Sequence, residues 1–257
     1  MTSRSLSFGA EAARYQRYRP DYPRWVLDEV LAYASGPVTS AVEVGAGTGK
    51  ATRLFAGHGI EVTAVEPDPK MLEILHVECA GLPVHPICAM LEEMPPQSPV
   101  DLVYAAAAWH WTNPATRWVR VGALLSPGGT FASFGAPMEL ADDDLVESVE
   151  QARRDLITND DVQAPPSVHC SGGLPWPQQE LLESRAFSDV DLRTLDVTRV
   201  IDVEDYVGNL STVSAYLLLG EHDRDVVLQR IRAVLPDRVE VRLDIALHLA
   251  RRTDEPL

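Results

Sequence analysis

The chain has 257 residues, 46% hydrophobic and 7% aromatic, enough for one large α/β domain or a domain carrying a sizeable insertion. Its 22 basic and 38 acidic residues leave a net charge of −16, a field that repels phosphate backbones and disfavours nucleic acid as the principal partner. The opening MTSRSLSFGAEAARYQRYRP lacks the apolar stretch of a signal peptide, no run of about 18 apolar residues offers a membrane span, and Cys79, Cys88 and Cys170 have no paired spacing; a reduced, cytoplasmic protein with buried, inert thiols at Cys79 and Cys88 is expected.

From about Val38 to Ser133, strand-like and helix-like stretches alternate. Ala41 to Val44 is a short apolar run ending in glycines, Thr48 to Ala56 has helical composition, and Ile60 to Val65 predicts a second strand. Asp68-Pro69 reads as an N-cap followed by proline at the first helical position, opening a helix over Lys70 to Cys79. Leu82 to Ile87 predicts a third strand and Asp101 to Ala105 a fourth. Asn113-Pro114 repeats the cap signal before a helix through Leu125, and Ser126 to Gly129 turns the chain into a fifth strand, Thr130 to Phe134. Strand–helix–strand units in series imply a mostly parallel sheet covered on both faces.

Beyond this, Asp142-Asp143-Asp144 caps a predicted helix through Leu156, and the proline- and glycine-rich Thr158 to Pro177 reads as a loop or lid. Val190 and Leu192, then Leu195 and Val197, alternate with a phase break that suggests a bulge. After a helical stretch over Asp223 to Val234, residues Val239, Val241, Leu243, Ile245, Leu247 and Leu249 alternate strictly. The two alternating segments are expected to be the last two strands of the same sheet.

The chemistry is concentrated in Val42-Glu43-Val44-Gly45-Ala46-Gly47-Thr48-Gly49, three glycines spaced G-x-G-x-G at a strand-to-helix turn. Glycine lets the backbone turn tightly and approach a ligand, and the helix start offers unpaired N–H groups to an anion. A nucleotide-triphosphatase loop fails here, since Val44 stands at its first glycine and Ala51 at its hydroxyl; the dinucleotide fingerprint fails at Lys50, its third glycine. Glu66 follows about twenty residues on, at the end of the second strand, where a carboxylate accepts from the ribose hydroxyls of an adenosine cofactor.

Taken together, these segments resemble the class I S-adenosylmethionine (SAM)-dependent methyltransferases. VEVGAGTGKATR is similar to the first motif of that family and VEPDPKML to its second; CAMLEEMP resembles the stretch framing the adenine, with Met90 where members often carry an acid. DLVYAAAAWHWTNP resembles the fourth motif and VGALLSPGGTFASF the turn into strand five. FGAEAARYQRYRPDYP and DVEDYVGNLSTVSAYL resemble the small-molecule branch that includes trans-aconitate methyltransferase-like and bis-thiomethyltransferase-like enzymes.

The resemblance implies a Rossmann-like, doubly wound, mostly parallel seven-stranded α/β sheet with an N-terminal cap and an inserted lid. The implied division is a cap over 1–36, a cofactor core over 37–135, an insertion over 136–185, and the sheet's completion over 186–257. It further implies that SAM, leaving as S-adenosylhomocysteine (SAH), is held by Tyr15, Arg19, Glu43, Gly45, Ala46, Gly47, Thr48, Gly49, Glu66, Pro67, Met71, Met90, Leu91, Ala106 and Trp111. Methyl transfer needs alignment more than a base; His110 is the one titratable residue placed to serve as general base, its alternative being a packing role. Tyr22, Trp109, His110, His169, Trp176, Tyr206 and Tyr216 are candidate walls for a small-molecule acceptor. No metal-ligand spacing occurs among the histidines. The expected activity is methylation of an oxygen or sulfur nucleophile in secondary metabolism, by a monomer or homodimer. Alternatives are a nitrogen, carbon or macromolecular acceptor, binding of SAM or SAH without transfer, and, more distantly, a dehydrogenase.

Overall fold

The structure, a computed structural model, describes residues 11–157 and 177–253. The helices are α1 (Ala12–Tyr18), α2 (Arg24–Tyr33), α3 (Lys50–Ala56), α4 (Pro69–Glu78), α5 (Arg117–Leu124), α6 (Asp143–Arg153), α7 (Gln178–Glu183), α8 (Val203–Leu210), α9 (Ser214–Leu217) and α10 (Glu221–Val234). The strands are β1 (Ser40–Val44), β2 (Glu61–Val65), β3 (Val84–Ile87), β4 (Val100–Ala106), β5 (Leu125–Gly135), β6 (Glu139–Leu140), β7 (Phe187–Leu195), β8 (Thr198–Asp202), β9 (Arg238–Arg242) and β10 (Ile245–Arg252). No helix among the described residues is long and apolar enough to cross a membrane.

The chain divides into two interleaved compact units, so that both the N-terminal 36 residues and the segment after 186 are shared between them. One unit comprises residues 21–135, 177–194 and 246–253 of the described chain. It holds a seven-stranded sheet ordered β3-β2-β1-β4-β5-β10-β7. The pairs β3–β2, β2–β1, β1–β4 and β4–β5 are parallel, and β10 runs antiparallel to β5. The fold is the doubly wound one the sequence predicts. Its central strands are apolar on both faces because crossover helices cover both: Val42, Val62, Leu102, Val103, Phe131 and Ala132 are all buried. Asp68 caps α4 by accepting from the Lys70 amide at 2.9 Å, with Pro69 at the first helical position. Asn113 instead caps a turn, accepting from the Ala115 amide, and α5 begins only at Arg117.

The other unit comprises residues 11–20, 136–157 and 195–245. Its three-stranded sheet, ordered β6-β9-β8, is antiparallel throughout and shares a core with α6, α8, α9 and α10. Within this unit α1 docks on α8 where Gly208 leaves room for the Tyr18 ring; a Cβ there would lie 2.4 Å from it. Asp142 caps α6 through the amides of Asp144 and Leu145.

The C-terminal alternation therefore needs correction. All six apolar positions from Val239 to Leu249 are buried, yet they feed two cores. The chain breaks at Leu243-Asp244, where the Leu243 amide donates to the Val197 carbonyl and Asp244 accepts from the Val197 amide. Residues 238–242 join the small sheet; only β10 joins β7 in the large one. Irregular backbone in β7 falls at Asp189, φ 52°, earlier than the expected bulge. Cys79 is buried as expected, but Cys88 is exposed, because β3 ends before it and the following segment runs along the rim.

Candidate functional site

The glycine turn leaves the carboxyl end of β1, the central strand at which the sheet order reverses direction, where open α/β sheets bind ligands. The amides of Gly45 and Ala46 donate to the Val65 carbonyl at 2.8 and 3.0 Å, so the turn is tied to the end of β2. Gly45, Gly47 and Gly49 have φ of 69°, 56° and 88°, a region where a Cβ is strained. Their surroundings differ. A Cβ on Gly45 would meet that of Ala108 at 2.4 Å, and one on Gly49 would meet the Cys79 sulfur at 2.9 Å. A Cβ on Gly47 would meet nothing within 4 Å. Packing closes the two ends of the turn, and its middle faces open space.

Glu66 stands at the end of β2 beside that open middle. Its Oε2 accepts from the Gly47 amide at 2.9 Å and its Oε1 from the Asp68 amide at 3.0 Å. Burial raises its pKa to about 6, partly opposed by those two hydrogen bonds, so it is mostly ionised at neutral pH. Each oxygen keeps acceptor capacity for a hydroxyl. A half-buried, positive-φ glycine bonded to an anchored carboxylate, with open space before it, fits an adenosine-type cofactor.

Glu43 takes a different position. It is 1% exposed, and its Oε2 accepts from the Thr52 hydroxyl on α3 at 2.6 Å and the Tyr104 hydroxyl on β4 at 2.9 Å. Tyr104 is held by stacking on Phe55, ring centroids 4.3 Å apart. Thr48 is buried in the turn. Pro67, Met90, Ala106 and Trp111 are half-buried at the carboxyl ends of their strands, while Met71 and Leu91 are buried in the core. Tyr22 is half-buried, edge-on to Phe134 at 4.9 Å.

His110 occupies the 3-10 turn Trp109–Trp111 just past β4, its ring 4.6 Å from that of Trp111. Surrounding protein mass lowers its pKa to about 4, although the imidazole is exposed and solvent contact limits that displacement; the imidazole is neutral at pH 7 on either ground.

Several expected wall residues lie elsewhere. Trp109 is 1% exposed, its ring packed against Trp118 and Phe131 at 4.8 Å each, so it is core and not pocket lining. Tyr206 and Tyr216, 5% and 0% exposed, are core residues of the other unit, where amphipathic α8 and α9 turn their aromatic faces inward. Tyr15 and Arg19 also belong to that unit; Arg19 donates to the Thr212 hydroxyl at 2.8 Å and carbonyl at 3.0 Å and lies over the Tyr15 ring. His169 and Trp176 lie outside the described residues. Sequence reasoning missed three contributors: Thr52 and Tyr104, which hold Glu43, and Ala107, whose φ of 53° is strained for alanine. The unbroken alanine run was the available signal for the last.

Known proteins share part of this sequence and its fold. Residues 41–129 match the methyltransferase domain family. An uncharacterized methyltransferase of Mycobacterium tuberculosis is 41% identical over 127 residues, 49% of this chain and 50% of the relative. In that match the chain spans about half the length of its curated relative. A methyltransferase-like protein of Schizosaccharomyces pombe is 26% identical across 90% of this chain and 87% of its own. Among solved structures, a protein from Anaeromyxobacter dehalogenans assigned as a type II methyltransferase superposes with a TM-score of 0.65 at 23% identity, covering 93% of this chain and all of that one. A phosphoethanolamine N-methyltransferase of Haemonchus contortus, bound to SAH, does so with 0.54 at 15% identity, covering 98% of this chain and 59% of that one. At these identities the structural matches speak to the fold.

Proposed function

On a chain that carries a methyltransferase domain in the class I methyltransferase fold, we propose that the glycine turn binds SAM and that its methyl group passes to an oxygen or sulfur nucleophile of a small molecule. The observation that carries this reading is at Gly47: open space in front of a positive-φ glycine whose amide is bonded to the ribose-type carboxylate Glu66. When bound, SAM supplies a methyl group on a sulfonium, activated for in-line displacement.

The residues of the chain then have separate tasks. Gly47 presents its backbone to the ligand without a side chain, and Glu66 accepts from the ribose. Pro67, Met90 and Trp111 give apolar surface along the strand ends, and Tyr22 with Phe134 borders the same end of the sheet. His110, neutral at pH 7, can take the proton of a hydroxyl or thiol acceptor. Glu66, ionised at neutral pH, makes the ground beside the turn negative, which suits a cationic donor. The resemblance to the small-molecule branch, together with a net charge of −16, favours a small acceptor over a polyanion.

Calorimetry of the folded chain with SAM, SAH and NAD tests the first half. Binding of SAM and SAH in the micromolar range or tighter, with none of NAD, is expected; a folded chain that binds neither would remove the reading. Mass spectrometry of mixtures with organic acids, thiols and phenols tests the second half, since only a transferring enzyme adds a methyl mass to one of them. Ligand binding without transfer is the second reading. It is favoured by His110, whose depressed pKa makes it a weak base.

A further inference from the structure

The fold retains a buried acid that no cation among the described residues pairs with. Glu43 sits two residues before Gly45, sealed from solvent, and its hydrogen-bond donors Thr52 and Tyr104 are neutral hydroxyls. The other titratable groups that bear on it are acids: Glu66 at the end of β2 and the thiol of Cys79 after α4. The cations of α3 are committed elsewhere, Lys50 to Asp21 and Arg53 to Asp21 and Glu78. A buried carboxylate paired only with hydroxyls costs stability that an apolar residue would not. Its place beneath the turn gives that cost a use.

We infer that Glu43 is the charge selector of this site, a positioning residue that favours the methyl donor, whose sulfur is a cation, over the demethylated product, whose sulfur is uncharged. The inference rests on the reading that the glycine turn binds these two molecules. They differ at sulfur by one methyl group and one positive charge. A negative charge held in the low-dielectric core attracts the sulfonium and leaves the thioether untouched. Product release is thereby helped without weakening donor binding, because both ligands share every contact except that charge.

The selector has a pH window. Burial pushes the Glu43 pKa up to about 8, while the bonds from Thr52 and Tyr104 pull against that rise. The carboxyl is mostly neutral below this value and charged above it, so preference for the donor rises with pH. By reciprocity, the donor draws the Glu43 proton off more strongly than the product does. Both ligands carry an amino group, and the sulfonium makes that of the donor more acidic than that of the product, so Glu43→Gln, which keeps this ligand difference, is the reference for the wild type.

The test is calorimetry of SAM and of SAH on the full chain from about pH 6 to about pH 9 at constant ionic strength, comparing wild type with Glu43→Gln and Tyr104→Phe. Relative to Glu43→Gln, the wild-type SAM-to-SAH affinity ratio rises about three- to tenfold across that range. In Glu43→Gln both ligands bind and the ratio follows only the ligands' own titration. In Tyr104→Phe the rise moves to higher pH, because a donor to the charged carboxylate is gone. The same pH dependence of the ratio in the wild type and in Glu43→Gln overturns the inference. Should circular dichroism show Glu43→Gln unfolded, Tyr104→Phe decides, and an unshifted rise overturns the inference. Failure of the wild type to bind either ligand at any pH overturns instead the underlying reading of the glycine turn.

Discussion

Gly45 and Gly47 lie two residues apart, share a positive φ, and answer to different demands. At Gly45 the obstacle is protein: an added Cβ lands 2.4 Å from that of Ala108, and neither backbone is free to move. At Gly47 the space is open, so alanine meets only the backbone strain of a positive φ, on the order of 1–2 kcal/mol. Gly45→Ala should therefore lower the melting temperature clearly. Gly47→Val should leave a folded chain whose SAM affinity falls by about a hundredfold or more. If Gly47→Val kept its affinity by calorimetry, the open space would not be the cofactor's place. His110 makes a second, independent prediction. Acting as base, it is needed in its neutral form, which its lowered pKa provides at every pH above about 6. The rate should then lack a histidine limb near the usual pKa of about 6.5. His110→Ala should cut turnover on the order of 10² with SAM affinity unchanged. An unchanged turnover at saturating acceptor would return His110 to packing against Trp111.

At the scale of elements, β1 and β4 are locked at their starts by one side chain. Asp101 Oδ2 accepts from the amides of Thr39 and Ser40 at 2.9 and 3.0 Å and from their hydroxyls at 2.9 and 3.1 Å. These bonds hold its pKa below the ordinary 3.8, outweighing the effect of burial. A lowered pKa means that the stabilisation is present at neutral pH and is lost as pH falls through the folded-state value. Asp101→Asn should cost about 1–2 kcal/mol at pH 7 in urea unfolding, and the gap should close toward about pH 3. A gap that persists in acid would mean the bonds, and not the charge, carry the stabilisation. Elements of this kind also show what the sequence made legible. The strands β1, β2 and β4 were readable as short apolar runs and β5 from Thr130 on, although β5 starts at Leu125 and takes in the expected turn Ser126 to Gly129; Asp68-Pro69 even located the start of α4. The division at Leu243-Asp244 was not, since alternation reports burial of a face and is silent on which sheet supplies it. That Gly45 to Gly49 make the turn from β1 into α3, and that Glu66 follows the end of β2, was legible through spacing. The locations of Trp109, Tyr206 and Tyr216 were not, because an aromatic residue looks the same on a pocket wall and in a core.

For the whole molecule the balance of charge sets the working range. The chain carries a net −16, and its self-repulsion grows as pH rises. Two buried acids add to this. Glu43 and Glu66 have folded-state pKa values of about 8 and about 6, above the ordinary 4.5, each raised by burial. The unfolded chain releases those protons first, so between the ordinary value and the raised one the native state binds more protons and stability falls as pH rises. Glu43 thus costs nothing below the ordinary value of 4.5, progressively more as pH rises, and most above about pH 8, on the order of 1.4 kcal/mol for each unit of displacement expressed. Salt separates the two effects, because general repulsion between surface charges is screened at moderate ionic strength and a sealed carboxylate is not. In about 0.5 M salt, wild-type stability measured by urea unfolding should still fall by a few kcal/mol from about pH 6 to about pH 9. Glu43→Gln should remove most of that slope and be the more stable protein at the alkaline end. Equal slopes in the two proteins would place the loss in the surface charge, and would mean that Glu43 does not take up its charge inside the folded chain.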